Sequence, residues 1–220
     1  MRHSKHVAGA FLAIALLALT ASAADAEDLL VEVTITNLTA GQILSAPLVV
    51  SHNEAIGLFE LGQPASDELA QLAEDAVADP LIALLEDSPD VLDVELAIDG
   101  IGPGGTMSVQ VMVSEEYRQL SVAGMLVTTN DAFYAAERTI VPDPDGLAYF
   151  ALAYDSGSEA NTEDCAHIPG PPCDTPLVRV TEGAEGFVHI HRGIHNVGSL
   201  GSDEFDWRNP VAYVTVRPVD

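Results

Sequence analysis

The chain has 220 residues, of which 34 are acidic and only 8 are Lys or Arg, so its formal net charge is −26 at pH 7. A surface this negative repels nucleic acids and anionic lipids, which argues against both as partners. The length and the hydrophobic fraction of 48% are sufficient for one domain with a sizeable core.

The N-terminus has the layout of a secretory signal peptide. Arg2 and Lys5 precede an apolar run at 7–19, and a stretch of small residues follows at 21–26. The apolar run is shorter than the roughly 20 residues that span a bilayer. We therefore expect a signal peptide at 1–26, one domain at 27–220, no membrane span, and a secreted or periplasmic location.

β-Strand patterns follow along most of the remaining chain. Residues 29–38 and 106–113 alternate between apolar and polar side chains, which is typical of half-buried strands. Segment 29–38 is expected to pair with 45–52 as a hairpin. Further strands are expected at 94–98, 120–127, 146–153, 177–180, 186–190 and 211–217.

One stretch has helical periodicity. Residues 66–87 carry apolar side chains at spacings of three and four, Ser66 is a suitable N-cap, and Asp79-Pro80 predicts a break. Many short strands with little helix favour an antiparallel β-sandwich. The predicted fold is mainly β, with one or two short helices covering one end of the sandwich.

The chain has two cysteines, Cys165 and Cys173, which flank a loop rich in Pro and Gly. Secreted proteins fold in an oxidising environment, where such a pair usually forms a disulfide. We expect that disulfide here, with ligation of a metal by the two thiols as the alternative.

Three segments carry a resemblance to a known family. They are GMLVTTNDAFY at 124–134, AYDSGSE at 153–159 and DWRNPVA at 206–212. In the first, a strand ends in a Thr-x-Asp-x-Phe turn; the second contains Tyr-Asp, and the third ends in Pro-Val-Ala. The order and spacing of these segments resemble the spondin-domain family, the domain of F-spondin and mindin.

The resemblance implies a C2-like β-sandwich with a calcium ion at one end. Matched position by position, Asp131 and Asp155 are the carboxylate ligands, and a backbone carbonyl at about Ala151 is the third. Family members are matrix and adhesion proteins. The resemblance therefore implies a non-catalytic binding module, with an extracellular protein or a glycan as its unidentified partner.

The residues themselves are compatible with calcium at this place. Each aspartate is expected at the exit of an apolar strand, so two end loops can bring together hard oxygen donors. The same loop contains Glu159, Glu163 and Asp164, which could add charge. The alternative is that both aspartates are ordinary turn residues, whose side chains accept hydrogen bonds from nearby backbone N–H groups.

A histidine cluster offers a rival site. His189 and His191 share one face of a predicted strand, and His195 could fold back through Gly193, so three imidazoles could bind Zn²⁺ or Cu²⁺. That arrangement would make the protein a transition-metal protein or a metalloenzyme. The alternative is that these imidazoles hydrogen-bond to acidic loops at the rim of the sandwich.

Overall fold

A computed structural model describes residues 28–141 and 146–219, and the predicted signal peptide lies outside this part of the chain. The described residues form nine strands, three short helices and one 3₁₀ turn at Cys165–His167. The strands are β1 (Leu29–Asn37), β2 (Leu48–His52), β3 (Val91–Leu96), β4 (Thr106–Val113), β5 (Gln119–Met125), β6 (Ala132–Ile140), β7 (Leu147–Asp155), β8 (His189–Ile190) and β9 (Ala212–Pro218). The helices are α1 (Asp67–Asp75), α2 (Asp79–Glu86) and α3 (Ser202–Phe205).

The strands are antiparallel and form two layers that share β7. One layer has the order β4-β1-β9-β7, and the other has the order β3-β2-β5-β6-β7, with β8 beside the end of β7. Residues 147–151 of β7 pair with β9, whereas residues 152–155 pair with β6. The predicted mainly β, antiparallel sandwich is confirmed.

Two apolar clusters stabilise the packing of the layers and helices. The larger cluster lies between the layers, where Val33 and Ile35 of β1 share the core with Tyr134 of β6. The smaller cluster joins the outer face of the second layer to the two long helices, with Phe133 packed in the same cluster as Leu69. Helices α1 and α2 therefore cover a face of the second layer.

Strand β6 has no counterpart among the predicted strands. Residues Ala132 to Ala136 are all buried, because β6 faces the inner core on one side and the helices on the other. A strand covered on both faces loses the alternation of polar and apolar residues on which strand prediction depends. This strand begins at the residue that follows Asp131, so its presence changes how the site is built.

Two other expectations were wrong. The hairpin between 29–38 and 45–52 does not form, because β1 pairs with β4 and β9 whereas β2 pairs with β3 and β5. Residues 177–180 form no strand, and Leu177 has a φ of 62°, which is incompatible with extended backbone.

The helix and disulfide predictions hold locally. The Ser66 side chain accepts a hydrogen bond from the backbone N–H of Leu69, as expected for an N-cap. The break falls before Asp79, which opens α2 with Pro80 in its first turn. Cys165 and Cys173 form the predicted disulfide.

Candidate metal centre

Asp131 and Asp155 meet at one end of the sandwich. Asp131 immediately precedes β6, and Asp155 is the last residue of β7. In the antiparallel register Ala132 lies opposite Asp155, so the entry of one strand adjoins the exit of the other. The expectation that both aspartates follow a strand is correct for Asp155 only, yet the two residues still come together.

The Asp131 carboxylate is buried and only half of it is hydrogen-bonded. Its Oδ2 atom accepts hydrogen bonds from Ser156 Oγ at 2.9 Å, from the Ser158 N–H at 2.9 Å and from the Glu159 N–H at 3.0 Å. Its Oδ1 atom has no hydrogen-bond partner among the described residues, although Asp131 is 0% exposed. A buried charged oxygen without a partner costs considerable free energy, so it is a position where a cation is favourable.

The electrostatics of the pair also favour a cation. Burial, and then the nearby Asp155 carboxylate, raise the pKa of Asp131 to about 7. Burial likewise raises the pKa of Asp155, although a hydrogen bond from Asn161 opposes the effect. Two adjacent buried carboxylates repel each other when both are ionised, and a proton or a metal ion removes the repulsion.

The backbone carbonyl of Ala151 does not join this pair. It accepts a hydrogen bond from the Val211 N–H at 3.0 Å, in the part of β7 that pairs with β9. Four residues of extended chain, or about 13 Å, separate Ala151 from Asp155. Since calcium ligands lie at about 2.3–2.6 Å from the ion, this carbonyl and the Asp155 carboxylate cannot share one ion.

Asp155 is also the residue on which two histidines converge. Its Oδ1 atom lies 3.6 Å from His189 Nε2, and its Oδ2 atom lies 3.8 Å from His191 Nε2. Glu185 Oε1 lies 4.0 Å from the same His189 nitrogen. Asp155, Glu185 and His189 each offer a ligand atom, and these atoms lie within 4.8 Å of one another.

His191 is buried and its ring is already hydrogen-bonded. Its Nδ1 atom accepts a hydrogen bond from the Gly193 N–H at 3.0 Å, so in the neutral ring Nε2 carries the proton and donates to Asn161 Oδ1 at 3.0 Å. Burial is the main cause that lowers the pKa of His191 to about 3. The ring is therefore neutral and holds Asn161 in place, and neither nitrogen is free to bind a metal.

His195 lies apart from the other two imidazoles. Its side chain is 52% exposed, and its Nδ1 atom lies 3.7 Å from Glu163 Oε1. Within the described ranges, 28–141 and 146–219, the three histidines form no group whose ligand atoms lie within 4.8 Å of one another. The predicted convergence of His189, His191 and His195 on one ion is wrong, because the chain turns at Gly193 toward Glu163.

The other three acidic residues of this loop, Glu159, Glu163 and Asp164, accept hydrogen bonds from backbone N–H groups and so order the backbone. Glu159 Oε1 accepts a hydrogen bond from the Val180 N–H at 3.2 Å. Glu163 accepts from the N–H groups of His195 at 2.7 Å and Val197 at 2.9 Å, one with each oxygen. Asp164 caps the 3₁₀ turn through the Ala166 N–H.

Two residues of this end were not anticipated. Asn161 donates to Asp155 Oδ2 at 2.6 Å, and Glu185 lies beside His189. Glu185 carries one sequence signal, since it lies four residues before His189 in a loop with glycines on both sides. A loop has no fixed period, however, so this spacing alone predicts no contact.

No protein-family model matches the sequence, and no curated protein matches it. None of the helices in the described part of the chain is long and apolar enough to cross a bilayer.

Proposed function

We propose that the chain is a secreted, non-catalytic binding module of the spondin type, in which calcium fixes the loops at one end of the sandwich. The observation that carries the proposal is the buried pair Asp131 and Asp155, with the Asp131 Oδ1 atom unpartnered among the described residues. Both would give the ion carboxylate oxygen, and waters would complete its six to eight ligands.

The site is suited to a structural ion. Asp131 is 0% and Asp155 is 1% exposed, so a substrate cannot reach either carboxylate. The Asp131 Oδ2 atom already holds the chain at Ser156, Ser158 and Glu159. An ion on the opposite oxygen would therefore anchor β6 to the loop after β7, and its removal would loosen that loop.

The anchored loops support the binding role. They run between β7 and β9 and carry apolar side chains that project into solvent. Leu177 is 73% exposed and Val197 is 69% exposed. Surface loops held on a rigid scaffold often carry the residues that bind a partner, and an extracellular protein or a glycan is the proposed partner here.

The composition and the disulfide support secretion. The signal-peptide pattern at 1–26 directs export, and a disulfide between Cys165 and Cys173 forms in an oxidising compartment. The net charge of −26 also suits a protein that works in the presence of millimolar divalent cations.

Thermal unfolding with and without calcium tests the proposal. Extracellular modules bind calcium with a Kd of about 10⁻⁴–10⁻³ M, so 10 mM CaCl₂ should stabilise the protein by roughly 1–3 kcal/mol relative to EDTA. Asp131→Asn should abolish this shift, whereas Asp28→Asn, which alters an exposed carboxylate before β1, should leave it intact. Identical melting curves in calcium and EDTA would refute the calcium site.

A further inference from the structure

The pairing of β7 with β8 places Asp155 and His189 directly opposite each other. Their side chains lie on the same side of this short ladder, with 3.6 Å between Asp155 Oδ1 and His189 Nε2. The loop before β8 brings Glu185 Oε1 to 4.0 Å from the same nitrogen. Two carboxylates from separate segments thus face one imidazole nitrogen.

The other ring nitrogen of His189 determines which tautomer is present. Nδ1 lies 3.1 Å from the backbone oxygen of Ile190, and a carbonyl oxygen can only accept, so Nδ1 carries the proton. In the neutral ring, Nε2 then presents its lone pair to the two carboxylates. This nitrogen is buried and has no hydrogen-bond partner in the described chain. A backbone carbonyl on the far nitrogen is the arrangement that orients metal-binding histidines.

The Asn161 side chain also orients the carboxylates of Asp155 and Glu185. Asn161 Nδ2 lies 2.6 Å from Asp155 Oδ2 and 3.4 Å from Glu185 Oε1, so one amide contacts both. The remaining oxygen of Glu185, Oε2, is buried and lacks a hydrogen-bond partner in the described residues. His191 in turn donates to Asn161, which fixes the amide.

Close contact between two loops keeps the group compact. The Gly186 N–H donates to the Gly157 carbonyl at 2.8 Å, which ties the loop that carries Glu185 to the end of β7. Gly157 has a φ of 70°, and a Cβ at this position would lie 2.4 Å from the Phe187 carbonyl oxygen. Glycine is therefore required here for the loops to approach.

We infer that Asp155, Glu185 and His189 bind a divalent transition-metal ion of the zinc class. One imidazole nitrogen and two carboxylate oxygens suit Zn²⁺, whereas calcium prefers oxygen ligands alone. Two ionised carboxylates and a neutral ring carry a charge that a dication cancels. The inference goes beyond the calcium-dependent module, with which it shares only Asp155.

Metal titration of the full-length protein tests the inference, with Zn²⁺ alone as the probe after chelation and dialysis. Calorimetry should give one Zn²⁺ per chain, and Zn²⁺ should raise the melting temperature. Glu185→Gln and His189→Asn should each weaken binding by about 10–100-fold or more, the loss seen when even an outer partner of a metal ligand is removed. His189→Asn retains an amide nitrogen in place of Nδ1 but has no group at Nε2.

The chain offers a matched control for each variant. His195→Asn changes an exposed imidazole beside Glu163, and Glu182→Gln changes an exposed carboxylate in the loop that carries Glu185. Both should bind Zn²⁺ as tightly as the wild type. Equal affinity in His189→Asn and His195→Asn, or no binding by the wild type, would overturn the inference.

A measurement on the wild-type protein tests the inference without requiring that any variant fold correctly. In long-range ¹H–¹⁵N spectra, Zn²⁺ should shift Nε2 of one histidine that is protonated at Nδ1. If the ring is instead a protonated counter-ion to Asp155 and Glu185, Zn²⁺ leaves its nitrogens unchanged, and the inference is wrong.

The zinc and calcium proposals fail separately. Asp131→Asn should remove the calcium response and preserve zinc binding, because Asp131 lies outside the group formed with Glu185. His189→Asn should do the opposite, and Asp155→Asn should remove both. If the wild type responds to zinc but not to calcium, the calcium site is refuted and the zinc site is not.

Discussion

The buried Asp131 carboxylate gives an unusual expectation for Asp131→Asn. In metal-free protein at pH 8, this variant should be more stable than the wild type. The pKa of Asp131 is raised from 3.8 to about 7, mainly by burial and then by Asp155. With a folded-state pKa of about 7, the ionised carboxylate costs the folded state on the order of 4 kcal/mol above pH 8.

The sign follows from the direction of the pKa shift. Because the folded-state pKa lies above the unfolded value, the folded protein binds more protons between about pH 4 and pH 7. The free energy of unfolding of the wild type therefore falls as the pH rises through this window and becomes level above it. From pH 5 to pH 8, the Asp131 contribution amounts to about 2–3 kcal/mol.

Asparagine removes this titration but has its own cost. Its Oδ1 atom can accept the hydrogen bonds that Asp131 Oδ2 now accepts from Ser156, Ser158 and Glu159. Its amide nitrogen would replace the unpartnered oxygen, at a cost of about 1–3 kcal/mol if it stays unpaired. The variant should therefore equal or fall below the wild type at pH 5 and exceed it at pH 8.

Urea unfolding in EDTA at pH 5 and pH 8 measures this difference. Asp28→Asn is the control, because its carboxylate is exposed before β1. Added calcium should stabilise only the wild type at pH 8, by roughly 1–3 kcal/mol, and so reduce the advantage of the variant. A difference in stability between Asp131→Asn and the wild type that is the same at both pH values would contradict the reasoning.

Three further predictions concern other parts of the fold. Burial, and then the Glu74 carboxylate, raise the pKa of Glu159 to about 8, so the wild type loses stability as the pH rises through this value. In urea unfolding at pH 9, Glu159→Gln should therefore be more stable than the wild type by roughly 2 kcal/mol. A variant that is less stable than the wild type at both pH 6 and pH 9 would contradict this. Replacing Cys165 and Cys173 by Ser should cost about 2–3 kcal/mol by removing the loop constraint, and calorimetry should find the calcium shift unchanged; loss of that shift would show that the disulfide orders the ion site. Leu69→Ala should cost about 2–5 kcal/mol in urea, because Leu69 fills the cluster under α1; a cost below about 1 kcal/mol would mean that α1 adds little to the fold.

The sandwich was predictable where one face of a strand meets solvent. β1 and β4 each keep the alternation of buried and exposed side chains, and both were predicted nearly residue by residue. β6 was missed because it is buried on both faces, whereas β8 occupies only the last two residues of the strand expected at 186–190. The hairpin was wrongly predicted for a different reason: alternation identifies a strand but does not indicate which strand it pairs with.

At the candidate metal centre, sequence resemblance and tertiary structure contributed different residues. The motifs pointed to Asp131 and Asp155, and the structure places both at one end of the sandwich. The predictions of the Ala151 carbonyl as a ligand and of three converging histidines depended on distances along and between strands. Those distances exclude Ala151 and separate His195 from His189.

The sequence by itself determined the acidic character, the strand-rich composition and the disulfide, because each follows from residue type or local order, and the resemblance of its motifs to a known family pointed to the two aspartates. Only the tertiary structure decided that β7 belongs to both layers, that Asp155 faces His189 and Glu185, and that His191 is occupied by Asn161. These contacts join residues as many as 69 positions apart in sequence (Leu147 and Val216), and no local pattern encodes such contacts. They arise from the antiparallel register of β6, β7 and β8, which brings the ends of separate strands to one place.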